Sequence, residues 1–154
     1  MATPSWNTYN HTLSWAAGAA GSAPHFVAAV NVLREKADKL YCVRFSNTGC
    51  RDEHLPLLVE ALHHSECELR EIDLCFNKLT GGGLRFLCET LAREGMCGYA
   101  LTHIYLGGNP VEDEARAACV ELLRAKRPDL ALDFELTLRG AEELAVVSLS
   151  LIHI

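Results

Sequence analysis

Between residues 40 and 123 the apolar positions fall into a spacing that neither a simple strand nor a simple helix requires. Residues 69–79 read LREIDLCFNKL, with apolar residues at Leu69, Ile72, Leu74 and Leu79 and a lone Asn77 among them. Strict alternation would mark a half-buried strand, and steps of three and four an amphipathic helix. Here a short alternating stretch is followed by a break and then by helical spacing. The same order appears three times, in residues 40–62, 69–91 and 101–123. Leu40, Leu69 and Leu101 match, as do Val43, Ile72 and Ile104, then Phe45, Leu74 and Leu106. Further on come Cys50, Leu79 and Val111, then Leu58, Leu87 and Cys119, then Leu62, Leu91 and Leu123. The three units start 29 and 32 residues apart, the spacing of a stacked repeat.

Each unit predicts a short strand, a turn and a helix. In the strand, alternate residues enter the core and those between them face away. Residues facing away are Cys42, Arg44 and Ser46 in the first unit, Glu71, Asp73 and Cys75 in the second, and His103, Tyr105 and Gly107 in the third. A weaker fourth strand, in which Leu132-Asp133-Phe134 echoes Ile72-Asp73-Leu74, adds Ala131, Asp133 and Glu135. Thr80-Gly81-Gly82-Gly83 leads into a helix predicted over Leu84–Leu91, with Thr80 as its N-cap and the glycines shaping the turn. One such unit cannot bury its own apolar face, so the units must stack and share a core.

The pattern L-x-x-L-x-L-x-x-N/C-x-L followed by a helix resembles the leucine-rich repeat family, in the long-repeat subtype typified by ribonuclease inhibitor. Residues 69–91 fit best, and the resemblance extends over about residues 26–136, with Phe26, Ala29 and Leu33 at the helical offsets of an earlier unit. It implies an α/β solenoid, a horseshoe segment with parallel strands on the concave face and helices on the convex face. It also implies that Asn77 and Asn109 are structural, each bonding backbone groups that the turn leaves unpaired. Pro110 holds the third turn, whereas the first has Thr48 at this offset with Asn47 beside it, a departure from the pattern. Members of the family commonly bind proteins on the concave face. The resemblance therefore implies a non-catalytic protein-interaction module or scaffold, with Arg44, Glu71, Asp73, Cys75, His103, Tyr105 and Asp133 as the partner-binding residues. The alternative it leaves is a regulator of an enzyme, such as a GTPase-activating protein of the repeat family.

Composition narrows this picture. The formal net charge is −6, which argues against nucleic acid and against an anionic membrane surface as partners. There is no run of about 18 apolar residues, as a membrane-spanning helix would need. Seven cysteines without paired spacing suggest a reducing compartment, and the expectation is a cytoplasmic protein. Residues 1–25 match no repeat; Trp6, Tyr9 and Trp15 would make them a cap over the first helix, and the alternative is a disordered leader. The stretch lacks the positive start of a signal peptide. Residues 137–154 form a tail, and its last six, LSLIHI, resemble the translation of a transposase-based sequencing adapter, which would make the chain a fragment; the alternative is a genuine final strand.

Catalytic and metal chemistry find little support. His63, His64 and Cys67 cluster at a helix exit, but structural zinc wants four ligands, often as two close pairs, and no second pair is evident. Cys75 and His103 lie on neighbouring strands at different offsets, with no orienting third group or oxyanion device. Cys88 and Cys119 occupy core-facing helix positions, where cysteine is a small apolar filler. The glycine run lacks the Gly-Lys-Ser/Thr ending of a phosphate loop. No enzyme activity, cofactor or metal is expected. Residues 93–100, REGMCGYA, lengthen the link between the second and third units and predict a surface loop.

Overall fold

Every one of the matched apolar positions is at most 5% exposed. That burial follows from the architecture of the computed structural model, which describes residues 5–7, 12–14, 30–31, 33–35, 40–63, 68–93 and 98–135. Six strands form one sheet in chain order: β1 (Ser5–Asn7), β2 (Thr12–Ser14), β3 (Cys42–Arg44), β4 (Glu71–Asp73), β5 (His103–Tyr105) and β6 (Ala131–Asp133). β1 and β2 are antiparallel, and every later neighbour is parallel. Between β3 and β6 the parallel strands are connected by helices α1 (Leu55–Leu62), α2 (Gly81–Ala92) and α3 (Asp113–Lys126). A 3-10 turn, Asp52–His54, leads into α1.

The strands are only three residues long and show the same burial alternation in β3, β4 and β5. Val43, Ile72, Ile104 and Leu132 stand side by side in register. The first three are completely buried, whereas Leu132, on the last strand, is half-buried. The outward-facing residues of successive strands are therefore in register too. Below the sheet, Leu58, Leu87 and Cys119 and then Leu62, Leu91 and Leu123 carry the same rungs into the helix layer. The expected α/β stack of strand–turn–helix coils is the observed fold. The echo in Leu132-Asp133-Phe134 is the strand β6 of a fourth coil, entered through buried Leu130.

The turns out of the strands have one conformation in common. Asn47, Phe76 and Gly108 hold the same place in successive coils and have φ of 54°, 56° and 79°. Glycine takes this left-handed region freely and asparagine tolerates it, but phenylalanine is strained there. The Phe76 ring lies over Gly108: a Cβ on that glycine would come within 2.6 Å of it.

The start of α2 corrects the sequence reading. The helix begins at Gly81, not Leu84, and Gly81, Gly82 and Gly83 are helical residues without left-handed φ. Thr80 does hold the N-cap position, but its hydroxyl makes no cap bond. It donates to the carboxylate of Asp52, from the preceding coil, which also accepts the Thr80 N–H at 2.9 Å. The glycines serve close approach. A Cβ on Gly83 would fall 2.0 Å from the Asp52 carboxylate, and one on Gly81 would meet Glu112 and Ala115 of the next coil. α2 has no acidic residue in its own first turn, so Asp52 supplies the negative charge that its dipole favours. α3 carries that charge itself, in Asp113 and Glu114, and balances it with Arg124 and Lys126 in its last turn.

The proposed packing of Trp6, Tyr9 and Trp15, the offsets of Phe26 and Ala29, and the tail 137–154 lie outside what the structure describes. Leu33 is helical and fully buried.

Candidate functional site

The polar positions of the sheet form two complete rows. One row runs Cys42, Glu71, His103, Ala131, and the next runs Arg44, Asp73, Tyr105, Asp133. β2 extends both rows, with Thr12 beside Cys42 and Ser14 beside Arg44. Except for exposed Ala131, the named residues of β3 to β6 in these rows are half-buried, standing on a floor of buried aliphatic side chains. The parallel ladder sets neighbouring strands about 4.8 Å apart, so a row presents side chains at that interval.

Several of these side chains are held in place. The Tyr105 hydroxyl donates to Glu71 Oε1 at 2.8 Å, a diagonal contact between rows on neighbouring strands. The rings of His103 and Tyr105 stack, with centroids 5.9 Å apart and planes 7° from parallel. His103 Nδ1 lies 3.0 Å from the Thr102 hydroxyl. Asp73 accepts the Cys75 N–H at 2.9 Å, and Asp133 accepts the Glu135 N–H at 3.0 Å. Each aspartate thus closes the turn that follows its own strand while keeping its charge on the sheet face. At the amino-terminal edge, the Arg70 guanidinium lies 5.5 Å from the centre of the exposed Tyr41 ring.

Under the turns runs a second polar system, fully internal. Asn77 Nδ2 donates to the carbonyls of Leu74 at 3.0 Å and of Phe45, one coil back, at 2.8 Å. Its Oδ1 accepts the N–H groups of Thr48 at 3.0 Å and Cys50 at 3.1 Å. Asn109 repeats the arrangement: Nδ2 donates to Leu106 and Leu74 carbonyls at 2.9 and 2.8 Å, and Oδ1 accepts the Leu79 N–H at 3.1 Å. Both side chains are buried, and each satisfies backbone groups that the turns would otherwise strand away from water. In the first coil buried Thr48 takes this place, its hydroxyl donating to the Phe45 carbonyl at 2.8 Å.

The other chemical candidates are not assembled. In the ladder Cys75 falls opposite Gly107, four residues along from His103, roughly 13 Å at the rise of a strand. Burial, reinforced by the charge of Asp73, pushes the Cys75 thiol up and keeps it protonated, the wrong direction for a nucleophile. Burial is also the main cause that raises Cys50, to about 12, and that raises Cys88 and Cys119, which face each other between α2 and α3. His63 is exposed at the end of α1, while His64 and Cys67 lie outside the described residues. Among the described residues no group of three or more potential metal ligands comes together. Nor is any described helix long and apolar enough to cross a membrane. The 93–100 link is described only in part.

Sequence reasoning missed three features: the Asp52 clasp, the strained Phe76, and the role of Thr48. Only the last had a signal, its place at the asparagine offset.

No protein-family model and no curated protein matches the chain. Among solved structures it is similar to "Leiomodin-1 Actin-Binding Site 2 (ABS2)", with a TM-score of 0.64 and 15% sequence identity, over 91% of this chain and 79% of that one. Identity at that level speaks to the fold alone, and the fold it supports is leucine-rich-repeat-like.

Proposed function

We propose that this chain is a non-catalytic protein-interaction module of the ribonuclease-inhibitor-like repeat type, working in the cytoplasm, whose sheet face binds a protein partner. The observation that carries this reading is the register of the two polar rows: Arg44, Asp73, Tyr105 and Asp133 on one, Glu71 and His103 on the other, standing on fully buried rungs. A surface of this kind costs little to order on binding, because its backbone is fixed and part of its side-chain freedom is already lost to the Tyr105–Glu71 bond and the His103–Tyr105 stack. It offers an aromatic ring amid charged groups, the mix from which binding hot spots are built. The solved structure it resembles is titled an actin-binding site, which is a protein-binding role in that protein. Cys75 supports the face through packing, since its thiol stays neutral and half-buried.

Affinity capture with the wild-type chain and with Asp73→Arg/Tyr105→Ala tests the reading. Partners held by the wild type and released by the double variant are the expected result, with both proteins unfolding at similar temperatures. An identical set of captured proteins would remove the sheet face from consideration.

A further inference from the structure

Charge on the sheet face is uneven. β4 carries Glu71 and Asp73, β6 carries Asp133, and Glu135 follows it, while the base on these rows, Arg44, stands on β3. Asp73, Asp133 and Glu135 make no ion pair among the described residues. The ion pairs seen there lie elsewhere, on helices and their flanking turns: Arg34 with Glu60, Arg124 with Glu121, and Arg127 with Asp129. The carboxylates of the helix side are thus partly neutralised within the chain, while Asp73, Asp133 and Glu135 keep their charge on the sheet face without an ion pair among the described residues.

Resting on the sheet-face reading above, we infer that the β4–β6 half of this face receives a basic segment of the partner in polyproline-II conformation, with arginines at positions i and i+3. Three observations shape that occupant. Asp73 and Asp133 are in register two strands apart, so their spacing is about 10 Å, and on a polyproline-II chain, with three residues per turn, side chains three apart share one side at about 9 Å. Tyr105 lies between them in the row, stacked on His103, and its flat ring suits a guanidinium better than an ammonium. Each aspartate commits Oδ1 to the backbone N–H two residues on, and Asp73 also meets the Cys75 thiol; a carboxylate has about four acceptor sites, so both keep acceptor capacity for a partner. Arg44 at the other end of the row disfavours a base there, so the basic part of the segment lies towards β6 and its remainder crosses β3. The partner is selected by charge as well as by shape, and its binding weakens with salt.

The test is fluorescence anisotropy with three labelled Gly/Ser-based peptides of one length. One carries arginines three apart, one carries glutamates in their place, and one carries neither. The wild-type chain is expected to bind the arginine peptide at least about tenfold more tightly than the glutamate peptide, and less tightly as salt rises. Asp73→Asn/Asp133→Asn keeps the oxygen that accepts each turn N–H, so it should fold. Loss of two surface ion pairs should weaken the arginine peptide roughly three- to tenfold. Glu89→Gln/Glu121→Gln, on the helix side, should leave its affinity unchanged. The inference is overturned if the glutamate or uncharged peptide binds as well, if the aspartate variant binds as the wild type does, or if the helix-side variant weakens binding equally. Should the arginine peptide fail while Asp73→Arg/Tyr105→Ala still releases captured proteins, the binding surface stands and the basic partner is excluded.

Discussion

The turn after β4 and the turn after β3 occupy the same place in successive coils, yet they are built differently. Asn77 reaches both ways: it bonds the Leu74 carbonyl of its own coil and, across the gap, the carbonyl of Phe45 and the amides of Thr48 and Cys50. Thr48 bonds the Phe45 carbonyl of its own coil, and its hydroxyl lies 3.4 Å from Asn77 Oδ1. An amide has a two-hydrogen donor and an acceptor on a short stem, and so can hold two coils together; a hydroxyl can close only one turn well. The asparagine ladder runs backwards along the chain, each rung tying its coil to the one before. On the other side of β3 stands β2, in parallel register with it and itself antiparallel to β1.

The strongest way to break this asymmetry is Asn77→Leu. It leaves the buried amides of Thr48 and Cys50 without their partner, at about 1–3 kcal/mol for each that no water reaches, while the Phe45 and Leu74 carbonyls keep donors in Thr48 and Asn109. With partial relaxation we expect a loss of about 3–5 kcal/mol in urea unfolding, enough to unfold much of the population. Asn109→Leu strips one buried amide, that of Leu79, and the Leu106 carbonyl, and an unpaired carbonyl costs less than an unpaired amide, so about 2–4 kcal/mol is expected.

Gly108→Ala comes next. It places a side chain at φ 79° and against the Phe76 ring, and should cost about 1–3 kcal/mol by thermal or urea unfolding. Gly83→Ala must displace the Asp52 carboxylate and open its clasp on Thr80, which is largely exposed, so about 1 kcal/mol is expected. Smallest is Thr48→Val, which removes a single hydroxyl bond at the volume of the original side chain, at about 1 kcal/mol or less. A Thr48→Val cost equal to that of Asn77→Leu would refute the asymmetry.

Much of this was legible in the spacing of apolar residues, because a buried rung tolerates little besides an aliphatic side chain or cysteine at a fixed offset. Leu69, Ile72, Leu74 and Leu79 could be placed in the core, and the polar rows followed from strand alternation. The start of α2 was not legible, because three successive glycines read as a breaker. What they answer to is Asp52, some thirty residues away in sequence and adjacent only after stacking. Phe76 was hidden for the opposite reason: nothing about a phenylalanine announces a left-handed turn. The candidate face was legible as a set of residues and not as an arrangement. The Tyr105–Glu71 bond and the His103–Tyr105 stack depend on register between coils.

The face itself is best tested by carboxyl footprinting of the chain with and without a captured partner. Labelling by a water-soluble carbodiimide and an amine, read by mass spectrometry, should show Asp73, Asp133 and Glu135 shielded in the complex while Glu89 and Glu121 on the helices label as before. Shielding confined to the helix-side carboxylates, with the sheet face still open to reagent, would contradict the proposed mode of binding.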